Sequence, residues 1–353
     1  MVNGRVTLVC SIKNTFVTKD IQMLEGLGFK VFLIHSPPYS DPIRFMGNRI
    51  REFFLGFYFL FRSEGLFSWF NDYHTTLPLF WARFFKKKTV IIVGGYDAVS
   101  SQSLGYGIFV KKNLRQFLAR KNYQNTDQIL VVHKSLAEGC SNASLESGTH
   151  SGIKHFLPDL KTTISEVPTA YDSNYWKLDE EKTAKTILTV ANISDYRTFE
   201  RKGIPLFLDL ASAMPDFKFT IAGIQKLNLY KSEFPSNVSL LGTQSREQLK
   251  KLYGQHRFYF QGSLIEGLPN VLCEAMLCEC IPVGKDVFGI SDAIGASGLV
   301  FKPNEKKNSI IDFFIHATPS LGKAARQRIS ELYPIERRKS FFQKILQNAE
   351  SNG

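Results

Sequence analysis

The chain has 353 residues, of which 44% are apolar and 22% are charged. That composition excludes a disordered or low-complexity protein, and because one hydrophobic core rarely grows past about 250–300 residues, the length predicts two domains. Lys and Arg number 44 against 32 Asp and Glu, a net charge of +12. An excess of this size favours phosphate-rich partners (nucleic acid, anionic lipid or a diphosphate substrate), although ordinary solvated surface is the alternative for any one basic cluster.

The cysteines and the apolar runs indicate where such a chain resides. There are 5 cysteines, and an odd number in a long chain is not a disulfide framework. Cys273, Cys278 and Cys280 lack zinc-site spacing. The N-terminus has no signal-peptide pattern, and the most apolar run, Phe53–Phe61, is too short to span a bilayer. We therefore expect a reduced, cytoplasmic location.

Short apolar strands alternate with helices in the first half of the chain. The strands are predicted at Val6–Ser11, Lys30–His35, Thr89–Val93 and Gln128–His133, with a helix at Lys19–Leu27. This alternation predicts βαβ units and a parallel sheet.

The segment Asp41–Arg62 interrupts the alternation with a strongly aromatic stretch flanked by arginines. Such a composition is typical of a helix in a membrane interface, with its aromatics in the lipid and its arginines at the headgroups. The alternative is a helix whose aromatics pack on the sheet. The segment therefore makes an anionic membrane surface a candidate partner.

Turn-forming residues at Pro158–Thr183 indicate a link to a second α/β domain. Further strands are predicted at Lys185–Ala191, Phe217–Ala222, Asn237–Leu241, Arg257–Gln261, Ile281–Val283 and Gly298–Phe301. Helices are predicted at Gly203–Met214, Ser245–Tyr253 with Ser245 as its cap, and Pro269–Leu277. The predicted domains are residues 1–168 and 169–330, followed by a C-terminal helix at 331–353 that crosses back to the first domain. The fold class is α/β, with two Rossmann-like domains facing across a cleft.

The stretch Gly262–Gly284, GSLIEGLPNVLCEAMLCECIPVG, carries the most chemical information. Pro269 suits the first turn of a helix, so the backbone N–H groups near Leu268–Val271 would form a phosphate site. Glu274, farther along the helix, is an acceptor for vicinal hydroxyls such as those of a ribose. Taken alone, Glu266 and Glu274 are equally consistent with a capping acid and a solvent-facing acid.

The whole stretch resembles the nucleotide-sugar motif of retaining GT-B glycosyltransferases, in particular glycosyltransferase family 4. The likeness rests on EGLPNVLCEAM, the following CIPVG, a loop ending in Lys202-Gly203 and the FTIAG strand at Phe219–Gly223. It covers residues 185–303 well and the N-terminal half more weakly. The resemblance implies the GT-B fold, with an acceptor-binding first domain and a nucleotide-sugar-binding second domain.

The resemblance also implies roles for individual residues. Glu274 would bind the ribose, and Glu266, with the backbone of Gly267 and Leu268, would hold the donor sugar and the distal phosphate. Lys202 would contact the diphosphate and neutralise charge on the leaving group. The phosphate site would extend along Pro269 and Asn270. No Asp-x-Asp motif is present to hold a divalent metal, so we expect no metal and no cofactor beyond the donor itself.

Two departures from the family pattern leave roles open. Asn192 stands where an arginine is usual; Arg197 or Arg201 would replace it, with Arg197 preferred, and a surface arginine is the alternative. Gly94, Gly95 and Asp97 stand where many members carry a histidine.

The two glycines permit close approach of a ligand, and Asp97 would bind a sugar or acceptor hydroxyl; the alternative is a tight turn. His74 and His133 are the nearest candidates for a histidine that transfers a proton, and a buried structural role is the alternative for each.

The sequence thus predicts a retaining, metal-independent glycosyltransferase that uses a nucleotide diphosphate-sugar donor and a glycan or lipid-linked acceptor, in cell-surface polysaccharide or glycolipid synthesis. It would be cytoplasmic and peripheral on the inner membrane face. The alternatives are a GT-B nucleotide-sugar epimerase and a non-enzymatic basic protein that binds membrane or nucleic acid. No nucleic-acid fold signature is present, so no nucleic-acid partner is expected.

Overall fold

A computed structural model of the chain describes residues 4–141, 145, 147–225, 234–302 and 305–350. The chain divides into two compact units. The first consists of residues 1–140, 148–169 and 335–353, and the second of residues 141–147 and 170–334.

The first unit is built on a six-stranded parallel sheet. The strands of this unit are β1 (Gly4–Cys10), β2 (Phe29–His35), β3 (Gly65–Trp69), β4 (Lys88–Val93), β5 (Val99–Ser101), β6 (Gln128–Val131), β7 (Thr149–Ser151) and β8 (Thr163–Glu166). β5 and β7 form a separate two-stranded antiparallel pair, and the other six strands form the sheet. The sheet order is β2-β1-β3-β4-β6-β8. Its helices are α1 (Thr15–Gly26), α2 (Pro42–Phe61), α3 (Tyr73–Phe84), α4 (Leu114–Asn125), α5 (Ser135–Glu138) and α6 (Ile153–Phe156).

The second unit contains a second six-stranded parallel sheet. Its strands are β9 (Thr183–Ile193), β10 (Lys218–Ile224), β11 (Val238–Leu241), β12 (His256–Gln261), β13 (Ile281–Lys285) and β14 (Leu299–Phe301). The order is β11-β10-β9-β12-β13-β14, which is the 3-2-1-4-5-6 order of a dinucleotide-binding Rossmann sheet. The helices are α7 (Tyr196–Arg201), α8 (Ile204–Ala213), α9 (Arg246–Gln255), α10 (Asn270–Leu277), α11 (Gly289–Ile294), α12 (Lys307–His316) and α13 (Ser320–Leu332).

The α/β class and the strands predicted from the sequence are confirmed, with ends that shift by a few residues. Ser245 caps α9 as predicted, and it does so in a reciprocal box with Gln248. Two strands of the first sheet, β3 and β8, were not predicted. β8 was missed because it lies inside the stretch that the turn formers mark as a link. The apolar pattern of its four residues is too short to outweigh those turn formers.

The last helix, α14 (Ile335–Glu350), belongs to the first unit. Its Arg338 is 2% exposed and forms a two-pronged ion pair with Asp20 of α1, with N–O distances of 2.8 and 2.7 Å. The same guanidinium donates to the carbonyl oxygens of Val167 and Pro168. Because all of these partners are buried or backbone groups, the contact fixes the end of the chain on α1.

The helix predicted around Asp41–Arg62 is confirmed as α2. Asp41 caps the start of α2, because its carboxylate accepts from the backbone N–H of Arg44 at 2.7 Å, and Pro42 lies in the first turn. One stripe of α2, from Asn48 through Glu52 and Gly56 to Leu60, is buried. Within the described part of the chain, no helix combines the length and apolar character that crossing a membrane requires.

Candidate functional site

The topology of the second sheet selects the place where a ligand would bind. β9 and β12 are neighbours in the sheet, and the strand order reverses between them. In open α/β sheets, ligands bind beyond the carboxyl ends of the strands at this reversal point. Lys202 follows β9, and Glu266 lies in the loop that follows β12. The two residues therefore meet at the position that the fold itself favours for a ligand.

The Lys202 ammonium and the Glu266 carboxylate form an ion pair. The two side chains are 16% and 14% exposed, so the pair is largely shielded but still reachable. Burial acts to raise the pKa of Glu266, but the positive charges of Lys202 and Arg201 outweigh it and hold that pKa below its usual value. Glu266 is therefore ionised near neutral pH, and two cationic groups lie around it.

Two glycines allow the loops that carry this pair to approach each other. Gly203 has a φ of 71°, and a Cβ atom there would lie 2.1 Å from the carbonyl oxygen of Gly262. The backbone N–H of Leu264 donates to the carbonyl oxygen of Arg201 at 2.8 Å. Gln261 adds a hydrogen bond from Nε2 to Ser263 Oγ at 2.7 Å. The ion pair is thus held by backbone contacts as well as by charge.

The start of α10 supplies the backbone groups that the sequence predicts for a phosphate. Pro269 precedes the helix and gives it no side-chain cap, so its first N–H groups have no partner within the helix. Leu268 is buried, and the carbonyl oxygen of Gly267 accepts from the N–H of Gly289 at 3.0 Å. Glu274, in the middle of α10, is 3% exposed. These residues therefore lie on one loop and one helix, next to Glu266 along the chain.

Tyr171 is a residue of this region that sequence reasoning did not identify. Its hydroxyl donates to Asn270 Oδ1 at 2.9 Å, and its ring is 3% exposed. The bond fixes the first side chain of α10. Tyr171 lies in the predicted link between domains, where no local pattern in the sequence distinguishes it.

The arginine candidates differ in their surroundings. Arg197 is exposed and lies 4.0 Å from Asp195, whereas the charge of Arg201 acts on both Lys202 and Glu266. Asn192, at the position usual for arginine, accepts from Gln225 Nε2 at 2.7 Å. A donor-binding role for Arg197 stays a prediction, and Arg201, whose charge acts on Glu266, is the alternative.

In the first unit, Asp97 is fully buried and organises a turn after β4. One of its carboxylate oxygens accepts from the N–H groups of Gly94 and Gly95 at 3.2 and 3.0 Å, and the other from the N–H of Asn71 at 3.1 Å. Burial raises the pKa of Asp97 to about 7 against these bonds. A Cβ atom on Gly94 would lie 2.4 Å from the ring of Phe70. A contact from Asp97 to a hydroxyl stays a prediction, and it would require these hydrogen bonds to rearrange.

The two histidines weighed for proton transfer are both buried and hydrogen-bonded within the first unit. His74 Nε2 lies 2.9 Å from the carbonyl oxygen of Trp69, and burial lowers the His74 pKa. His133 Nδ1 lies 2.8 Å from Ser135 Oγ. Both contacts are those of structural residues.

Among the residues that the structure describes, no three His, Cys, Asp or Glu side chains are grouped as metal ligands would be. The charged groups around Glu266 are Lys202 and Arg201, and the buried Glu274 lies farther along α10.

The family model of the glycosyl transferases group 1 matches residues 172–328, which is nearly the whole of the second unit. The second unit is therefore similar to the glycosyl transferases group 1. The Lys202–Glu266 pair and the start of α10 both lie inside the matched segment. The resemblance drawn from EGLPNVLCEAM is therefore confirmed at the level of the group.

One curated relative of this chain is the phosphatidylinositol N-acetylglucosaminyltransferase gpi3 subunit of Schizosaccharomyces pombe. It is 24% identical over 201 residues, which are 52% of this chain. The match spans 44% of the relative's own length, so less than half of that protein is represented.

Solved structures share the fold of this chain. Sucrose-phosphate synthase from Thermosynechococcus elongatus has a TM-score of 0.71 at 13% identity and covers 99% of this chain and 100% of its own. Anabaena Alr3699/HepE in complex with UDP-glucose has a TM-score of 0.67 at 11% identity, with 99% and 100% covered. At these identities the likeness concerns the fold, and it confirms the GT-B class predicted from the sequence.

Proposed function

We propose that this chain is a retaining glycosyltransferase of family 4 that moves a sugar from a nucleotide diphosphate-sugar to a glycan or lipid-linked acceptor, in cell-surface polysaccharide or glycolipid synthesis. The observation that carries the proposal is the Lys202–Glu266 pair at the reversal point of a 3-2-1-4-5-6 sheet. A cation, a carboxylate and an uncapped helix start at one edge suit a ligand that has both phosphates and hydroxyls.

The donor roles follow from the charge of each group. The N–H groups at the start of α10 would donate hydrogen bonds to the distal phosphate. Glu266 would hold a hydroxyl of the donor sugar, and Glu274 the ribose hydroxyls. Lys202 would turn from Glu266 toward the diphosphate when the donor binds. Its positive charge then stabilises the leaving group most strongly in the transition state, when the bond to the sugar breaks. A contact that is stronger in the transition state than in the ground state raises the reaction rate.

The transfer step balances without a further reactant. The bond between the anomeric carbon and the diphosphate oxygen breaks, and the bond to the acceptor oxygen forms on the same face of the sugar. The acceptor hydroxyl gives its proton to an oxygen of the leaving diphosphate. Lys202, Arg201 and the helix dipole supply positive charge at that diphosphate, so we propose that no metal ion takes part.

Two sets of known proteins support the substrate classes. Anabaena Alr3699/HepE was solved with UDP and with UDP-glucose, and the starch synthase IV catalytic domain of Arabidopsis thaliana with ADP and acarbose. The name of the Schizosaccharomyces pombe relative states a phosphatidylinositol acceptor, which supports a lipid-linked acceptor here. We propose a cytoplasmic enzyme that lies on the inner face of a membrane.

Calorimetric titration with UDP, GDP and ADP tests the donor site and identifies the base that binds most tightly. A panel of nucleotide-sugars that carry this base then identifies the donor. Glu274→Ala should weaken binding of the preferred diphosphate about 10–100-fold, because it removes charge-assisted hydrogen bonds. Glu331→Gln, an exposed carboxylate of α13, serves as the control. The proposal fails if no diphosphate binds, or if Glu274→Ala binds as the parent does. The anomeric configuration of the product, read by nuclear magnetic resonance, tests retention.

A further inference from the structure

The outer surface of α2 and α3 is apolar, although it faces away from the core of the first unit. Seven large apolar side chains of the two helices are more than half exposed: Met46 at 56% and six others, among them Ile43 at 83%, Phe54 at 66% and Phe84 at 65%. We call this the apolar face: Ile43, Ile50, Phe54, Phe61, Phe80 and Phe84. Contiguous apolar surface of this kind marks a site of interaction with a protein or a membrane.

Helix periodicity puts the α2 members of the apolar face on one line. Ile43, Ile50, Phe54 and Phe61 are spaced by seven, four and seven residues, which returns the chain to the same side of a helix. The buried stripe through Glu52 and Gly56 is on the other side. The apolar face is therefore a second, separate hydrophobic stripe and is not the core-facing one.

Close packing of the two helices makes their outer sides one surface. A Cβ atom on Gly56 would lie 3.0 Å from Trp81 Cδ1 and 3.5 Å from Pro78 Cα, so α2 approaches α3 directly. Trp81 contacts rings from both helices, with centroid distances of 5.0 Å to Phe57 and 5.6 Å to Phe84. The aromatic rings thus continue from one helix to the next without a polar break.

Arginines lie along one side of the apolar face. Arg44, Arg51 and Arg62 each follow a member of the face by one residue, about 100° further round the helix, and all three are exposed. Arg83 of α3 and Lys86 just after it are exposed as well. Glu52 is the one acidic residue within α2 and α3, and it is fully buried. Every exposed charge within the two helices is therefore positive, and Asp41, which caps the start of α2, is an exposed acid beside them.

We propose that the apolar face binds an anionic phospholipid bilayer, with its aromatic rings among the acyl chains and its arginines at the lipid phosphates. A second copy of the chain fits less well, because a two-fold interface would set these arginines near one another with no exposed acid on either helix to pair them. The inference deepens the proposed function by naming the surface that would bring the enzyme to a lipid-linked acceptor, and it rests on that function only for the acceptor.

Co-flotation with phosphatidylcholine vesicles, prepared with and without phosphatidylglycerol, tests the surface on the full chain. We expect flotation with the anionic vesicles at low salt and little with the neutral ones. Phe54→Ser and Phe84→Ser should each weaken vesicle partition about tenfold, and Arg44→Gln and Arg51→Gln about fivefold each. The matched control Ile315→Ser removes a side chain that is 55% exposed on α12 of the second unit, and it should float as the parent does.

Three results would overturn the inference: no flotation on anionic vesicles at low salt, unchanged flotation of the Phe variants, or a dimer in solution that the Phe variants convert to a monomer without vesicle binding. If a Phe variant unfolds, flotation of Arg44→Gln and Arg51→Gln still tests whether the apolar face binds anionic vesicles. UDP, GDP and ADP titrations on the same preparations separate the two proposals. A chain that floats with anionic vesicles but binds no nucleoside diphosphate would contradict the proposed sugar transfer. The proposal that the apolar face binds a membrane would still hold.

Discussion

Lys202 and Glu266 are 64 residues apart in the sequence, yet their side chains form an ion pair where the order of the second sheet reverses. The pair joins a loop after β9 to a loop after β12. Each charge is largely shielded from water. Without a bound ligand, each charge therefore needs the other as its stabilising partner. Variants of the two residues can therefore separate the contribution of the pair to stability from the catalytic contribution that we propose for it.

Lys202→Ala should lower the free energy of unfolding by about 1–3 kcal/mol, because it leaves the Glu266 charge without its partner. It should also lower kcat about 100–1000-fold, because it removes positive charge from the leaving diphosphate. Adding Glu266→Gln should restore much of the stability and none of the turnover. Denaturant unfolding and initial rates measure the two effects. A double variant that regains activity would show that Lys202 acts only through Glu266.

Gly203→Ala should distort the loop that carries Lys202. Its φ of 71° is costly for alanine, and the new Cβ atom would meet the carbonyl oxygen of Gly262 at 2.1 Å. We expect a loss of more than about 1 kcal/mol in the free energy of unfolding and a fall in kcat of up to about 100-fold from displacement of Lys202.

Gly242→Ala is the matched control, because no atom lies within 4 Å of the new Cβ atom there. Its unfolding free energy should stay within about 0.5 kcal/mol of the parent. Equal effects from the two glycine variants would count against the close approach of the Gly203 and Gly262 loops.

Arg201→Ala should lower kcat about tenfold or more, because the Arg201 charge acts on Glu266 and Lys202. Arg197→Ala should lower it less, because Arg197 is exposed and lies near Asp195. Steady-state rates of the two variants at saturating donor decide between them. A larger loss for Arg197→Ala would mean that α7 moves on donor binding and brings the preferred arginine of the sequence analysis to the diphosphate.

The elements of the second unit were predictable because their apolar strands are short, regular and closed by glycine or proline. The motif around Glu266 and Glu274 was predictable because it is continuous in the sequence. The contacts that complete it were not. Tyr171 reaches Asn270 across 99 residues, and a tyrosine among turn formers carries no sign of such a partner.

The same limit explains what was missed in the first unit. The Asp20–Arg338 pair joins residues 318 positions apart, and an arginine in a charged helix is normally solvent-exposed. Asp97 was singled out by its place after a strand, but its three bonds to backbone N–H groups depend on the turn geometry. The aromatic segment of α2 left an interface helix and a core helix as alternatives, and the structure gives it a buried stripe and a separate apolar face.

Glu52 gives the first unit a dependence on pH. Ser36 and Arg49 both contact its Oε1 atom, and its Oε2 atom is buried without a hydrogen-bond partner. Burial raises the Glu52 pKa to about 7, although Ser36 and Arg49 oppose this. Because the folded state keeps a proton that the unfolded state loses near its ordinary pKa of 4.5, the stabilisation is fully present below that value and is lost as pH rises through about 7.

Glu52→Gln should therefore gain stability relative to the parent by about 2–3 kcal/mol between about pH 5 and pH 8. The amide stays neutral throughout, so it removes the cost of a buried charge at high pH. All other titrating groups are shared by the two proteins, and the difference between their unfolding free energies isolates Glu52. Glu25→Gln, at an exposed position of α1, should show no such trend. A flat difference across this range would mean that Arg49 keeps Glu52 ionised, in which case Arg49→Gln should raise the pKa of Glu52 and restore the trend.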